Sequence, residues 1–165
     1  MNEVTSRRAF LTGRLKAEPS AARPPWAVAE FTRLCDGCGE CVKSCPEHSL
    51  TLDTSGRPVM DFTVSGCDFC GDCLSACRSG ALRASSEPWN LEAVVSGACL
   101  AVRGIVCRTC EDMCADDAIR FQLGLNGKSC PLIDRDSCTG CGFCAAPCPV
   151  GAIKIVTSHQ EERAA

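Results

Sequence analysis

Three stretches of this chain carry cysteines in one arrangement, and that repetition limits the fold more than any other feature. Cys35, Cys38, Cys41 and Cys45 follow C-x2-C-x2-C-x3-C, with Pro46 next. Cys67, Cys70, Cys73 and Cys77 repeat the spacing, with Arg78 in the proline's place. Cys138, Cys141, Cys144 and Cys148 repeat it again, with Pro149 next. Four thiols so close along the chain are better placed to meet on one inorganic centre than to bridge distant segments.

Soft thiolates at this spacing are the ligand set of a [4Fe-4S] cluster. Two other uses of cysteine fit less well. Seventeen cysteines in 165 residues is a density found in small secreted disulfide scaffolds, but no usable secretory signal is recognisable and reducing compartments keep thiols free. Structural zinc takes two separated C-x2-4-C pairs rather than one compact run. With six Phe, two Trp and no Tyr, the chain has few large side chains for an apolar core. Inorganic cores are expected to do that work, so the cluster-free chain should be largely unfolded. A cooperatively melting apo-protein would contradict this.

The net charge of −3 is unevenly spread. Residues 1–26 hold Arg7, Arg8, Arg14, Lys16 and Arg23 against Glu3 and Glu18, whereas the rest is acidic. A basic arm on an acidic body does not suggest nucleic-acid binding. It fits a protein-binding tail or a solvated one. The apolar stretch from Ala93 to Val102 is broken by Ser96 and Gly97 and is far short of the ~20 residues of a membrane span, so a soluble protein is expected. Ser6-Arg7-Arg8-Ala9-Phe10-Leu11 has the look of a twin-arginine export motif. Gly13, Arg14, Lys16, Glu18 and Pro19 then occupy the place of the apolar region such a signal needs. Arg7 and Arg8 are therefore either solvated or part of a retained recognition arm that binds a partner, and cytoplasmic residence is expected.

The expected fold class is α+β: two tandem bacterial-ferredoxin-like halves, each with short hairpins and short helices. The expected divisions are a basic arm over 1–29, a half over 30–84 with two cluster runs, a linker over 85–89, a second half over 90–158, and a tail over 159–165. Strands are expected over 49–53, 58–63, 118–123, 130–134 and 152–157, with Leu125-Asn126-Gly127 as a hairpin turn. Phe69 and Phe143 stand in matching slots between cysteines and are expected to shield clusters from water.

In two-cluster ferredoxins the fourth cysteine of one run ligates the other cluster. In the first half, Cys77 would then join Cys35, Cys38 and Cys41, while Cys45 joins Cys67, Cys70 and Cys73. The second half is irregular. Cys107, Cys110 and Cys114 match the last three positions of a run, Gly104 stands where the first belongs, and Cys99 lies five residues earlier. Cys114 would join Cys138, Cys141 and Cys144, and Cys148 would join Cys99, Cys107 and Cys110. This makes four [4Fe-4S] clusters. A rival assignment gives this half one cluster, on Cys138, Cys141, Cys144 and Cys148, and three in all. Cys130 is left over and is expected to be a small buried side chain. His48 and His159 sit in no triad-like context, and no phosphate loop or nucleotide fingerprint is present. The chemistry open to the chain is one-electron transfer or cluster handling, not substrate conversion.

The chain resembles the ferredoxin-type proteins of the periplasmic nitrate reductase system, the NapF family. The resemblance rests on Ser6-Arg7-Arg8, Arg23-Pro24-Pro25-Trp26, the three regular runs, the irregular Ala98-Cys99-Leu100 with Cys107, Cys110 and Cys114, and the closing Cys148-Pro149-Val150-x-Ala152-Ile153. It implies a cytoplasmic protein that acts on the catalytic molybdenum subunit of nitrate reductase before export and assists its maturation. It also implies that the twelve cysteines of the regular runs are ligands. The alternative is a polyferredoxin electron carrier, or the iron–sulfur subunit of a redox enzyme.

Overall fold

The computed structural model describes residues 22–124 and 128–158. Its elements are short. Helices α1 (Phe31–Leu34), α2 (Glu40–Ser44), α3 (Asp72–Ala76) and α4 (Thr109–Asp112) are single turns. Isolated helices of this length are unstable in water, so each persists only through what its buried face touches. That face is a cysteine in three of them: Cys41 in α2, Cys73 in α3 and Cys110 in α4.

The strands form two-stranded antiparallel sheets. Strand β1 (Leu50–Leu52) pairs with β2 (Pro58–Met60) in the register Leu50↔Met60. Strand β4 (Ile119–Leu123) pairs with β5 (Ser129–Ile133) in the register Ile119↔Ile133. Both are hairpins expected from the sequence, although the Leu125-Asn126-Gly127 turn lies outside the described residues. The third sheet was not expected. Strand β3 (Leu91–Val95) pairs with β6 (Ile153–Thr157), Leu91 opposite Thr157. Glu92 on β3 is buried and ion-paired with Arg135 at 3.2 Å.

Two apolar cores result. One gathers Phe31, Cys41, Leu50, Met60, Cys73, Ala81 and Leu82. The other gathers Ala93, Cys110, Ile119, Cys144 and Ile153, with Cys99, Ala101 and Ala152 beside it. Cysteines hold central places in both.

Residues 22–29 do not behave as the end of a basic arm. Pro24 and Pro25 are fully buried, Ala27 bridges Leu82, and Met60 N–H donates to the Ala22 carbonyl at 2.7 Å. Proline rings are apolar on their faces, and the neighbouring Ala22, Trp26 and Ala27 pack against the first core. The expected linker is likewise fastened: Trp26 N–H donates to the Pro88 carbonyl at 2.6 Å, and Trp89 packs edge-on against Phe62 and Phe69. Cys130 is exposed rather than buried. Side chains alternate along a strand, and on β5 the inward place next to it belongs to Pro131. Among the described residues no helix is long and apolar enough to cross a membrane.

Candidate iron–sulfur centres

Each cysteine run wraps round a space because its backbone turns the same way each time. Gly37, Phe69 and Gly140 occupy the same place, two residues after the first cysteine, and all three are left-handed, with φ of 73°, 57° and 67°. Glycine adopts this conformation freely, whereas a phenylalanine is strained there. Phe69 is held by ring contacts with Trp26 at 6.4 Å and Trp89 at 5.2 Å. Phe143 stands at a different place in its run, where Glu40 and Asp72 open α2 and α3, so the two rings are not equivalent. Its neighbour is Gly66.

Three small pockets are walled by thiols. The first has Cys67, Cys70 and Cys73 with Cys45, closed by Trp26, Phe69, Leu50 and Met60. The second has Cys138, Cys141 and Cys144 with Cys114, closed by Ala93, Ala118 and Ile119. The third has Cys99, Cys107 and Cys110 with Cys148, closed by Leu100, Phe121, Ala152 and Ile153. In each, three thiols of one run meet the last thiol of another. The remaining set is looser. Cys35 and Cys38 lie close enough to Cys41 for their charges to act on it, and Cys77 packs against the same core.

The fourth cysteines Cys45, Cys114 and Cys148 turn into the next segment, so that each sulfur meets the residue four places on. Ala118 N–H donates to Cys114 Sγ at 3.3 Å and Ala152 N–H to Cys148 Sγ at 3.2 Å. Cys45 Sγ lies 3.6 Å from Ser49 Oγ. Phe69 N–H donates to Cys67 Sγ at 3.4 Å. Such donors favour the thiolate and stabilise the more negative form of a metal centre.

The thiols divide electrostatically. Burial pushes Cys67 and Cys144 up to about 12, and Cys41, Cys73 and Cys110 up to about 11. Neighbouring thiolates add to the rise. At Cys77 and Cys148 burial also acts upward, but hydrogen bonds outweigh it and the thiols are lowered. The donors are Ser79 and the Leu82 and Ala81 amides at Cys77, and the Val150, Ala152 and Ile153 amides at Cys148. Several thiols facing one apolar space resist ionising together unless a cationic centre is bound among them. Among the described residues no three His, Cys, Asp or Glu side chains meet at a single-ion position. What favours a multi-atom cluster over a tetrahedral zinc ion is the donor set itself, three thiols of one compact run with a fourth from another. Arg7 and Arg8 lie outside the described residues.

Comparison with known proteins agrees. Residues 34–81 match a 4Fe-4S dicluster domain and residues 131–154 a 4Fe-4S binding domain. The chain is 38% identical over 173 residues to the ferredoxin-type protein NapF of Haemophilus influenzae, across 97% of this chain and 98% of that one. It is 37% identical to the Escherichia coli protein of the same description, across 93% and 96%. A methylamine utilization ferredoxin-type protein, MauM, from Methylorubrum extorquens is 34% identical across 89% of this chain and 76% of its own length. This is a 4Fe-4S electron-transfer protein rather than a substrate-converting enzyme. Matched almost end to end by such relatives, the chain belongs to the NapF family of ferredoxin-type proteins.

Proposed function

We propose that the chain holds four [4Fe-4S] clusters in two tandem ferredoxin-like domains. We further propose that it acts in the cytoplasm on the catalytic subunit of periplasmic nitrate reductase before export, assisting that subunit's maturation. The observation that carries the cluster reading is the exchange of fourth cysteines. Cys45 lines a pocket with Cys67, Cys70 and Cys73, Cys114 lines one with Cys138, Cys141 and Cys144, and Cys148 lines one with Cys99, Cys107 and Cys110. Cys99 stands in its pocket although its spacing is irregular, which favours four sites over three. Cys35, Cys38, Cys41 and Cys77 are assigned to the remaining cluster.

When bound, each cluster supplies a one-electron couple. The protein's own part is to deliver the thiolates, to aim amides at Cys67, Cys114 and Cys148, and to keep water out with Phe69, Trp26, Phe121 and Ile119. Family membership supports the nitrate reductase partner, and the Arg7-Arg8 arm supports direct recognition of it.

The test is an anaerobic pull-down with cluster-loaded protein, using the unexported, cofactor-poor catalytic subunit and its mature form as baits. Selective capture of the immature form is expected, with weaker capture when Arg7 and Arg8 are both changed to Ala at unchanged iron content. Equal capture of both forms, or of neither, would favour the second reading, a polyferredoxin electron carrier. The bond from the Cys67 N–H to the Cys141 carbonyl, which joins residues of two cysteine pockets, supports that reading.

A further inference from the structure

The two cores meet through their cysteine loops. Cys67 N–H donates to the Cys141 carbonyl at 2.7 Å, so a residue of one thiol pocket is bonded by main chain to a residue of the next. The approach is too close for side chains. A Cβ on Gly66 would lie 2.6 Å from the Phe143 backbone nitrogen, and one on Gly142 would lie 2.1 Å from the Phe62 ring. A third fastening comes from Trp89, whose Nε1–H donates to the Thr139 carbonyl at 2.9 Å. Its ring rests edge-on against Phe62, which packs on the first core, and against Phe69, which lines the first thiol pocket.

A connection of Ser85-Ser86-Glu87-Pro88 composition would by itself let two domains move independently, the ordinary expectation for tandem domains. Here bare backbone, two glycines and an indole fix one loop on the other at the point where two thiol pockets abut.

We propose that this loop-on-loop contact is a coupling lock. It holds the Cys45/Cys67/Cys70/Cys73 pocket and the Cys114/Cys138/Cys141/Cys144 pocket in fixed register, so that clusters bound there interact and the four sites form one series rather than two separate pairs. The proposal rests on the reading that both pockets hold clusters. Gly66, Trp89 and the Cys67 amide are positioning groups in it, since none is itself a ligand.

The test compares the anaerobically loaded full chain with Gly66→Val and Trp89→Ala. Three quantities are read: iron per chain, hydrogen exchange at the Cys67 amide, and the magnetic-interaction broadening of the fully reduced paramagnetic spectrum. The expected result is unchanged iron, Cys67 exchange faster by about tenfold or more, and loss of the part of the broadening that crosses between the domains. Faster exchange with an unchanged spectrum would overturn the coupling, and unchanged exchange in both variants would overturn the lock. If Gly66→Val also lowers iron, Trp89→Ala decides by the same readouts, because its side chain lies outside the cysteine loops. Parent iron near twelve rather than sixteen atoms would count against the four-cluster reading and leave the lock to be judged by exchange.

Discussion

Arg23 Nη1 lies 2.9 Å from Asp53 Oδ2 and fastens the segment before Pro24-Pro25 to the turn that closes the β1–β2 hairpin. The same guanidinium donates to the Pro58 carbonyl at 3.3 Å and sits 5.3 Å above the Phe31 ring. Asp53 also accepts from the Ser55 hydroxyl and from the Arg57 and Ser55 amides, bonds that with Arg23 hold its carboxyl well below the usual range. A depressed carboxyl contributes stability that is complete above its unfolded value of 3.8 and is lost only as pH falls through the lower folded value. Asp53→Asn is therefore expected to lower the melting temperature of the loaded protein by the same amount at pH 8 and pH 5. A deficit that shrank as pH rose from 5 to 8 would show that the folded carboxyl titrates above the ordinary carboxylate range and not below it.

The shared pockets predict a pattern of iron loss in paired substitutions. Cys45→Ser and Cys67→Ser remove thiols from one pocket, so the double variant should lose no more than about four iron atoms, one cluster. Cys45→Ser with Cys41→Ser touches two sites and should lose about eight. Iron analysis after anaerobic reconstitution checks this. If Cys41 and Cys45 behave as one site and Cys45 and Cys67 as two, each run ligates its own cluster.

Cys99 tests the irregular site. Cys99→Ser should remove about four iron atoms from a parent holding about sixteen and leave the spectra of the other clusters intact. A parent with about twelve, unchanged by the substitution, would make Cys99 a buried core residue only.

Phe69 sets backbone strain against packing. Its left-handed φ of 57° costs a non-glycine residue about 1–2 kcal/mol, which Phe69→Gly would relieve. The substitution also removes two edge-on aromatic contacts, worth about 0.5–1.5 kcal/mol each, together with the burial of the ring, and it frees the unfolded chain. A net destabilisation of about 1 kcal/mol is expected, with faster cluster loss in air because the Trp26–Phe69 wall of the pocket opens. Slower loss would mean that the strain dominates.

The parts of the fold legible in the sequence were those with local causes. The spacing of the runs places three thiols on one curl of chain, and β1–β2 and β4–β5 are hairpins between near neighbours. The fastening of 22–29 was missed because the segment continues the basic arm in sequence, and only a tertiary surface shows that the proline rings are buried. Strand β3 reads as an apolar run whose partner, β6, lies far along the chain, so no turn announces the pair. The expectation that Cys130 is buried failed because composition does not set strand phase, and Pro131 takes the inward place. Gly66 against Phe143 has no local sign either. A glycine one residue before a cysteine looks like any other loop glycine until the second domain is laid against it.

The sharing of cysteines between runs also has a consequence in time. A nascent chain that has left the ribosome as far as Met60 already displays Cys35, Cys38, Cys41 and Cys45, complete by count, yet Cys45 ends in a pocket whose other thiols have still to be synthesised. A cluster captured early by those four would occupy a thiol needed elsewhere and leave Cys77 without its set. On the proposed ligand sets, cysteine supply would impose an order on biogenesis, with insertion held back until translation has passed Cys77 in the first domain and Cys148 in the second.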